Sequence, residues 1–154
     1  MDHGGAQGRH INIPIFIPHM GCPNTCVFCD QRRISGACDP VATDNIRETI
    51  EKYLTTSSSE DYLEIAFYGG SFTGIPRYQM MAYLDVAREY LEKGVVSSIM
   101  LSTRPDYIDH EVLDILGRYG VKIIELGVQC IDEDVLARSK RGHTGEDVIK
   151  TVKQ

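Results

Sequence analysis

The sequence predicts an α/β protein in which parallel strands alternate with helices. Short apolar runs rich in β-branched residues alternate with longer segments whose apolar residues recur at helical spacing. Four such strand–helix units follow one another along the chain, separated by glycine, proline and polar residues. This alternation favours parallel strands joined by right-handed crossovers. It permits either an open doubly wound sheet or part of a (β/α) barrel.

The first two units begin with strongly apolar strands. Ile11–Ile17 is rich in isoleucine, which predicts a strand buried on both faces. After a loop rich in glycine, proline and cysteine, Thr43–Leu54 is predicted as a helix because its large aliphatic residues recur every fourth position. Tyr62–Tyr68 is the second predicted strand, and two glycines follow it. Pro76–Lys93 is the second predicted helix, with proline at its start and glycine just after its end.

The last two units are shorter. Val96–Ser102 is the third predicted strand, and His110–Tyr119 is the helix that follows it and ends at a glycine. Val121–Gln129 is the fourth predicted strand. Two short helical segments, Asp132–Ser139 and Glu146–Val152, complete the pattern.

The composition is that of one soluble domain. The chain has 154 residues, of which 42% are apolar and 25% charged, so it can form one core of ordinary size. Residues 1–10 are polar and glycine-rich, which predicts a flexible N-terminus ahead of a core spanning 11–154. With neither a membrane span nor a signal peptide in the pattern, we expect a cytoplasmic protein without a membrane partner. The net charge of −6 argues against a surface that binds nucleic acid throughout, but permits a local basic patch.

Polar or glycine residues follow every predicted strand. The carboxyl ends of parallel strands lie at one edge of a sheet, so these residues are expected to form a single site. They are the cysteine loop after the first strand, Gly69-Gly70-Ser71 after the second, Ser102-Thr103-Arg104 at the third and Gln129-Cys130 at the fourth.

The loop after the first strand contains Cys22, Cys26 and Cys29 in the spacing C-x3-C-x2-C. The chain has five cysteines, an odd number, and such clustering in a reducing compartment is typical of metal binding rather than of a disulfide framework. Three thiolates can each ligate a different iron of a cubane cluster and leave the fourth iron open. The alternative is a zinc site, in which His19 or Cys38 would complete the tetrahedron.

The cysteine loop resembles the radical S-adenosylmethionine (SAM) superfamily, whose signature is C-x3-C-x-aromatic-C, with Phe28 at the aromatic position. The segment 67–72 is similar to the glycine-rich motif that follows the second strand in that superfamily. Segments 102–106 and 125–129 look like the third- and fourth-strand motifs of the Elp3-like (Elongator subunit 3-like) branch, and segment 141–144 matches that branch too. The resemblance implies a partial (β/α) barrel of the radical SAM type.

The resemblance implies that Cys22, Cys26 and Cys29 hold a [4Fe–4S] cluster whose open iron is chelated by SAM. The reduced cluster would donate one electron to the sulfonium, so that the C5′–S bond breaks and a 5′-deoxyadenosyl radical forms. A flavodoxin- or ferredoxin-like protein would supply the electron. The Elp3-like motifs imply a tRNA substrate in which a base is modified.

The resemblance also implies the residues that surround SAM. Two glycine carbonyls and a serine hydroxyl would receive its ammonium group, and an aromatic ring would contact its adenine. Two polar residues at strand ends would reach the ribose, and an arginine would pair with the carboxylate. In chain order these residues are Phe28, Gly69, Gly70, Ser71, Ser102, Gln129 and Arg141.

Radical SAM cores of this kind usually contain six β/α units, so the four units found here lead us to expect a core truncated before its last strands. Two other functions stay open. One is a radical SAM enzyme that acts on a small molecule, as coproporphyrinogen-oxidase-like proteins do. The other is a non-catalytic zinc module formed by His19 with the three clustered cysteines.

Overall fold

The computed structural model describes residues 8–18, 26, 27, 29 and 40–154. In this part of the chain, four parallel strands form one sheet in the order β1-β2-β3-β4. The strands are β1 (His10–Ile17), β2 (Tyr62–Gly69), β3 (Ser98–Thr103) and β4 (Val121–Leu126). The helices are α1 (Thr43–Leu54), α2 (Arg77–Glu92), α3 (His110–Arg118), α4 (Glu133–Arg138) and α5 (Gly145–Val152). Short 3-10 turns, Phe72–Gly74 and Pro105–Tyr107, follow β2 and β3.

The strand order confirms the predicted α/β class and selects the barrel over the doubly wound sheet. Each strand pairs with the next strand in sequence, without the reversal of order that a doubly wound sheet requires. The described part of the chain is therefore a partial (β/α) barrel with four β/α units.

The helices cover one face of the sheet, and the main hydrophobic core lies between the helices and the sheet. Alternate residues of β1, namely Ile13, Ile15 and Ile17, are buried in this core with residues of β2, β3, α1 and α2. On the other face of β1, Phe16 is 47% exposed. The prediction that β1 is buried on both faces was therefore wrong, because its isoleucines occupy every second position and face one side only.

The opposite face of the sheet carries polar contacts between neighbouring strands. The Tyr68 hydroxyl receives a hydrogen bond from the side-chain amide of Asn12 at 3.3 Å and lies 3.6 Å from the sulfur of Met100. The Ser98 hydroxyl donates to the buried carboxylate of Glu64. These contacts join β1, β2 and β3 on the side away from the helices.

The last two strands differ from their predicted bounds. β3 begins at Ser98 and extends to Thr103, whereas β4 ends at Leu126 instead of Gln129. Beyond Leu126 the chain turns, and the N–H of Val128 bonds back to the Leu126 carbonyl at 2.8 Å. The fourth-strand motif therefore supplies a turn at the edge of the sheet.

Residues 1–7 lie outside the described part, so the expected flexible N-terminus stays a prediction. The described chain begins just before β1, where the Arg9 guanidinium binds both carboxylate oxygens of Asp61 at 3.2 and 2.7 Å. In the described ranges, no helix has the length and apolar character that crossing a membrane requires.

Candidate cofactor site at the carboxyl edge of the sheet

The glycine pair after β2 fits tightly against the end of β1. Gly69 has a φ of +105°, which favours glycine, and a Cβ atom there would lie only 2.4 Å from the carbonyl oxygen of Ile17. The N–H of Gly70 donates to the same oxygen at 3.0 Å. The two glycines therefore let the chain turn away from the sheet directly beside the point where the cysteine loop begins.

Three hydroxyl groups, which we call the hydroxyl cluster, join the ends of β2 and β3. The Thr103 hydroxyl lies 2.7 Å from the hydroxyl of Ser71 and 2.6 Å from that of Thr73. The Ser71 hydroxyl also accepts a hydrogen bond from the backbone N–H of Arg104 at 3.1 Å. Because a hydroxyl can accept two hydrogen bonds, Ser71 retains an acceptor site if it donates to Thr103.

Arg104 is buried where the chain leaves β3. Its guanidinium binds both carboxylate oxygens of Asp106, at 2.8 and 2.7 Å, and this planar two-point contact fixes the plane of the side chain. A third donor of the same group reaches the backbone carbonyl of Arg141 at 2.7 Å. Arg104 therefore attaches the end of β3 to the segment that follows α4.

The C-terminus of α4 determines where Arg141 lies. Lys140 has a φ of +54°, and the N–H groups of Lys140 and Arg141 bond to the carbonyls of Ala137 and Leu136 at 3.1 and 3.0 Å. This is the Schellman arrangement, in which the chain reverses after a left-handed residue. As a result Arg141 turns inward and is 8% exposed, while Lys140 beside it stays exposed.

The described part of the cysteine loop packs against this turn. The backbone N–H of Val27 donates to the carbonyl of Ser139 at 3.1 Å, and the N–H of Cys29 donates to the carbonyl of Cys26 at 3.0 Å. The Cys26 thiol is buried, and its sulfur lies 3.6 Å from Nη1 of Arg141. The loop is therefore attached to α4 by both backbone and side-chain contacts.

The guanidinium of Arg141 also reaches the end of β4. Its Nη2 donates to the backbone carbonyl of Gly127, which lies just beyond the last residue of the strand. We refer to the contacts among Cys26, Gly127, Arg141, Arg104 and Asp106 as the arginine network. It joins the cysteine loop to the ends of β3 and β4.

Two other predicted site residues, Ser102 and Gln129, belong to neither the hydroxyl cluster nor the arginine network. Ser102 lies within β3 and is half-buried, opposite Glu125 of β4. Gln129 is exposed in the turn after β4, with a φ of +67°. Four residues with predicted roles in binding the cluster, zinc or SAM lie outside the described residues, and these roles stay predictions: His19, Cys22, Phe28 and Cys38.

His143 lies beside the arginine network. The side chain is 3% exposed and lies close to the charged groups of Arg141, Asp106 and Arg104. Burial, followed by the positive charge of Arg141, lowers the pKa of His143 below its ordinary value, while Asp106 opposes the shift and Arg104 adds to it. The imidazole is therefore held neutral near pH 7.

The donors present suit an iron–sulfur cluster with SAM. Thiolates are the ligands that such clusters use, and hydrogen bonds to their sulfur atoms adjust the cluster. Cys26 is buried next to a cationic donor, and the buried Nε of Arg141 has no partner among the described residues. A buried orphan donor of this kind suits an anionic or polar group of a bound molecule.

Sequence reasoning missed part of this site. It expected Thr103 and Arg104 at this edge but gave neither a specific role, and it gave none to Thr73, Asp106 or His143, although the segments that contain most of these residues were recognised as motifs. The sequence feature that could have indicated some of these residues is the run Thr103-Arg104-Pro105-Asp106, in which a cation and an anion two residues apart follow a buried strand. A carboxylate so close in sequence can compensate the charge of an arginine that is buried at the end of a strand.

The chain belongs to the radical SAM superfamily, because the model of that family matches residues 16–154. Its relatives include an uncharacterised protein of Methanocaldococcus jannaschii, 34% identical over 92% of this chain and 46% of the relative. The Elongator complex protein 3 of Schizosaccharomyces pombe is 29% identical over 87% of this chain and 31% of its own length. These matches agree with the Elp3-like branch recognised from the motifs.

Two further proteins are similar to this chain. The tRNA uridine(34) acetyltransferase of Methanocaldococcus infernus is 29% identical over 68% of this chain and 23% of its own length. The solved structure of the Elp3 protein of that organism, with residues 1–46 deleted, superimposes with a TM-score of 0.60, at 24% identity, over 94% of this chain and 34% of that one. The structural match confirms the radical SAM fold. The chain spans less than half the length of these relatives.

Proposed function

We propose that this chain is the cofactor-binding part of a radical SAM enzyme, in which Cys22, Cys26 and Cys29 hold a [4Fe–4S] cluster and SAM binds the open iron. Family membership implies both cofactors. The observation that carries the proposal for this chain is the arginine network, which places the buried sulfur of Cys26 at the carboxyl edge of the sheet. Ligands of parallel β/α folds bind at this edge.

Cys22, Cys26 and Cys29 would hold the cluster, which, once reduced by an external donor, would supply the electron for reductive cleavage of the C5′–S bond of SAM. The protein binds and orients the cofactor and shields the radical from water. We propose that the backbone of Gly69 and Gly70 and the remaining acceptor site of Ser71 receive the SAM ammonium. Their position beside the end of β1, where the cysteine loop begins, supports this assignment.

The remaining SAM contacts are proposals from the family motifs. Phe28 would cover the adenine, and Ser102 and Gln129 would reach the ribose. Arg141 would pair with the carboxylate through Nε, which has no hydrogen-bond partner in the described part of the chain. Ser102 is the next-to-last residue of β3, and Gln129 lies in the turn after β4, at the edge of the sheet where Arg141 contacts Gly127. We expect the electron donor to be a flavodoxin- or ferredoxin-like protein, and the protein to act in the cytoplasm.

The cluster assignment is tested by anaerobic assembly with ferrous iron and sulfide. We expect about four iron atoms per chain and broad visible absorption in the wild-type protein and in Cys130→Ala. Cys130 provides a matched control, because it is a half-buried free cysteine outside the motif. Cys26→Ala is expected to lose the iron. A Cys26→Ala protein with a complete cluster, or a wild-type protein that binds one zinc and no iron, would contradict the proposal.

We propose a tRNA as the substrate. The similarity to Elongator complex protein 3 and to a tRNA uridine(34) acetyltransferase supports this choice. The test is to incubate the cluster-loaded protein with SAM and reductant, with and without tRNA, and to measure 5′-deoxyadenosine and modified bases. We expect tRNA to stimulate 5′-deoxyadenosine formation and to carry the modification. Turnover that is the same without tRNA would contradict the substrate assignment.

A second candidate acts on a small molecule. The heme chaperone HemW of Bacillus subtilis is 25% identical over 93% of this chain and 37% of its own length, and this similarity favours a porphyrin or heme ligand. The same incubation distinguishes the two candidates when heme and coproporphyrinogen replace tRNA. Tight binding of heme, or conversion of the porphyrin without tRNA, would favour the second candidate.

A further inference from the structure

We infer that Arg141 acts on the cluster itself, by donating a hydrogen bond to the thiolate of Cys26 and thereby raising the reduction potential of the cluster. This inference rests on the proposed function. It differs from the SAM-carboxylate contact that the family motif implies, because it requires an effect of Arg141 before any SAM is bound.

The distances support a donor role toward sulfur. Nη1 of Arg141 lies 3.6 Å from the sulfur of Cys26, a normal distance for a hydrogen bond to sulfur, and both residues are buried. In a buried setting a charged donor interacts more strongly with an anionic acceptor than it would in water. The interaction strengthens when the thiolate gains negative charge.

The guanidinium is fixed in this orientation from two sides. Nη2 donates to the carbonyl of Gly127, and a Cβ atom at Gly127 would lie 2.9 Å from that nitrogen, so glycine leaves room for the close approach. The backbone carbonyl of Arg141 is held by Arg104, whose own plane is fixed by Asp106. The donor therefore has little freedom to turn away from Cys26.

This arrangement determines the sign of the effect. Reduction adds one electron, supplied from outside, and increases the negative charge on the cluster and its thiolates. A fixed cation that donates to one of these thiolates stabilises the reduced form more than the oxidised form. Loss of the cation therefore makes the reduction potential more negative.

The test compares the reduction potential of cluster-loaded proteins in the absence of SAM. Arg141→Gln removes the charge, and we expect it to lower the equilibrium constant for reduction about tenfold, which is about 59 mV for a one-electron couple. Arg141→Lys retains the charge without the planar fork, and we expect a smaller shift in the same direction. Lys140→Gln removes a neighbouring cation that is exposed, so it serves as the matched control and should keep the wild-type potential.

The outcomes separate this inference from the proposed function. If Arg141→Gln and Arg141→Lys carry full clusters at the wild-type potential and only bind SAM more weakly, the inference is wrong and the proposed function stands. If Arg141→Gln assembles no cluster, Arg141→Lys decides, and an unshifted potential there contradicts the inference. If the wild-type protein itself assembles no cluster, the proposed function fails first.

Discussion

The helix-covered face of the sheet and its carboxyl edge are built from different interactions. On the covered face, aliphatic and aromatic side chains such as Phe67 and Leu101 are completely buried and pack against α1 and α2. At the edge, the buried residues are polar or charged, and the arginine network and the hydroxyl cluster hold them in place. The covered face therefore supplies stability, and the edge supplies a rigid arrangement of donors.

This difference matters because buried charges contribute less to stability than an apolar core does. The ion pair with the partly exposed Asp106 must offset the cost of removing the Arg104 guanidinium from water. Its retention at the edge is better explained by the contact that Arg104 makes with Arg141. Substitutions on the covered face should therefore lower stability, whereas substitutions at the carboxyl edge should mainly affect cofactor binding.

The largest loss of stability is expected for Phe67→Ala on the covered face. Phe67 is fully buried and stacks on Phe72 with a ring-centre distance of 4.5 Å. Removing the ring should lower the free energy of unfolding by about 3 to 5 kcal/mol, measured by urea denaturation. The folded fraction should still bind iron like the wild-type protein. Tyr78→Ala, at a side chain that is 75% exposed, is the control and should change stability by less than about 0.5 kcal/mol.

Gly69→Ala should affect both regions, because this glycine joins β2 to the edge. An alanine there would combine a left-handed φ with a close contact to the Ile17 carbonyl, at a cost of about 2 to 4 kcal/mol. Gly94→Ala isolates the effect of the left-handed φ, because Gly94 also has a positive φ but has open space around it. This substitution should therefore lower the free energy of unfolding by about 1 to 2 kcal/mol. Equal losses for the two variants would show that the contact with Ile17 has no effect.

The smallest expected effect is a pH dependence of the free energy of unfolding, which comes from His143 at the carboxyl edge. Because the pKa of His143 is lower in the folded protein than in the unfolded chain, the unfolded chain takes up the additional proton as the pH falls through about 6.5. The free energy of unfolding should therefore decrease with falling pH, by at most about 1.4 kcal/mol per pH unit. Urea denaturation between pH 5.5 and 8 measures this slope. His143→Gln should flatten it, whereas His110→Gln, at an exposed site, should leave it unchanged.

Much of the fold could be predicted because it depends on periodicity. The bounds of α1 are those that the spacing of Ile46, Ile50 and Leu54 predicts. For β1 the same principle was applied incorrectly, because four isoleucines at alternate positions indicate one buried face and not two. The end of β4 was missed because Gly127 and Val128 are apolar enough to continue a strand, and only the contact with Arg141 shows why the chain turns there.

The site was less predictable, because its geometry depends on residues far apart in the sequence. The run Arg138-Ser139-Lys140-Arg141 has the composition of a solvated helix face, and yet Arg141 is buried. The reversal that buries it has lysine at the left-handed position, where glycine would have been the usual signal. Family resemblance identified Arg141, but it did not indicate the contacts with Cys26, Gly127 and Arg104.

Electron paramagnetic resonance of the reduced, cluster-loaded protein, recorded with and without SAM, tests the central claim most directly. If three cysteines leave one iron open, SAM binds that iron and shifts the g-values of the reduced [4Fe–4S] signal in the wild-type protein. Cys130→Ala should show the same shift. A cluster whose spectrum is unchanged by saturating SAM would contradict the account.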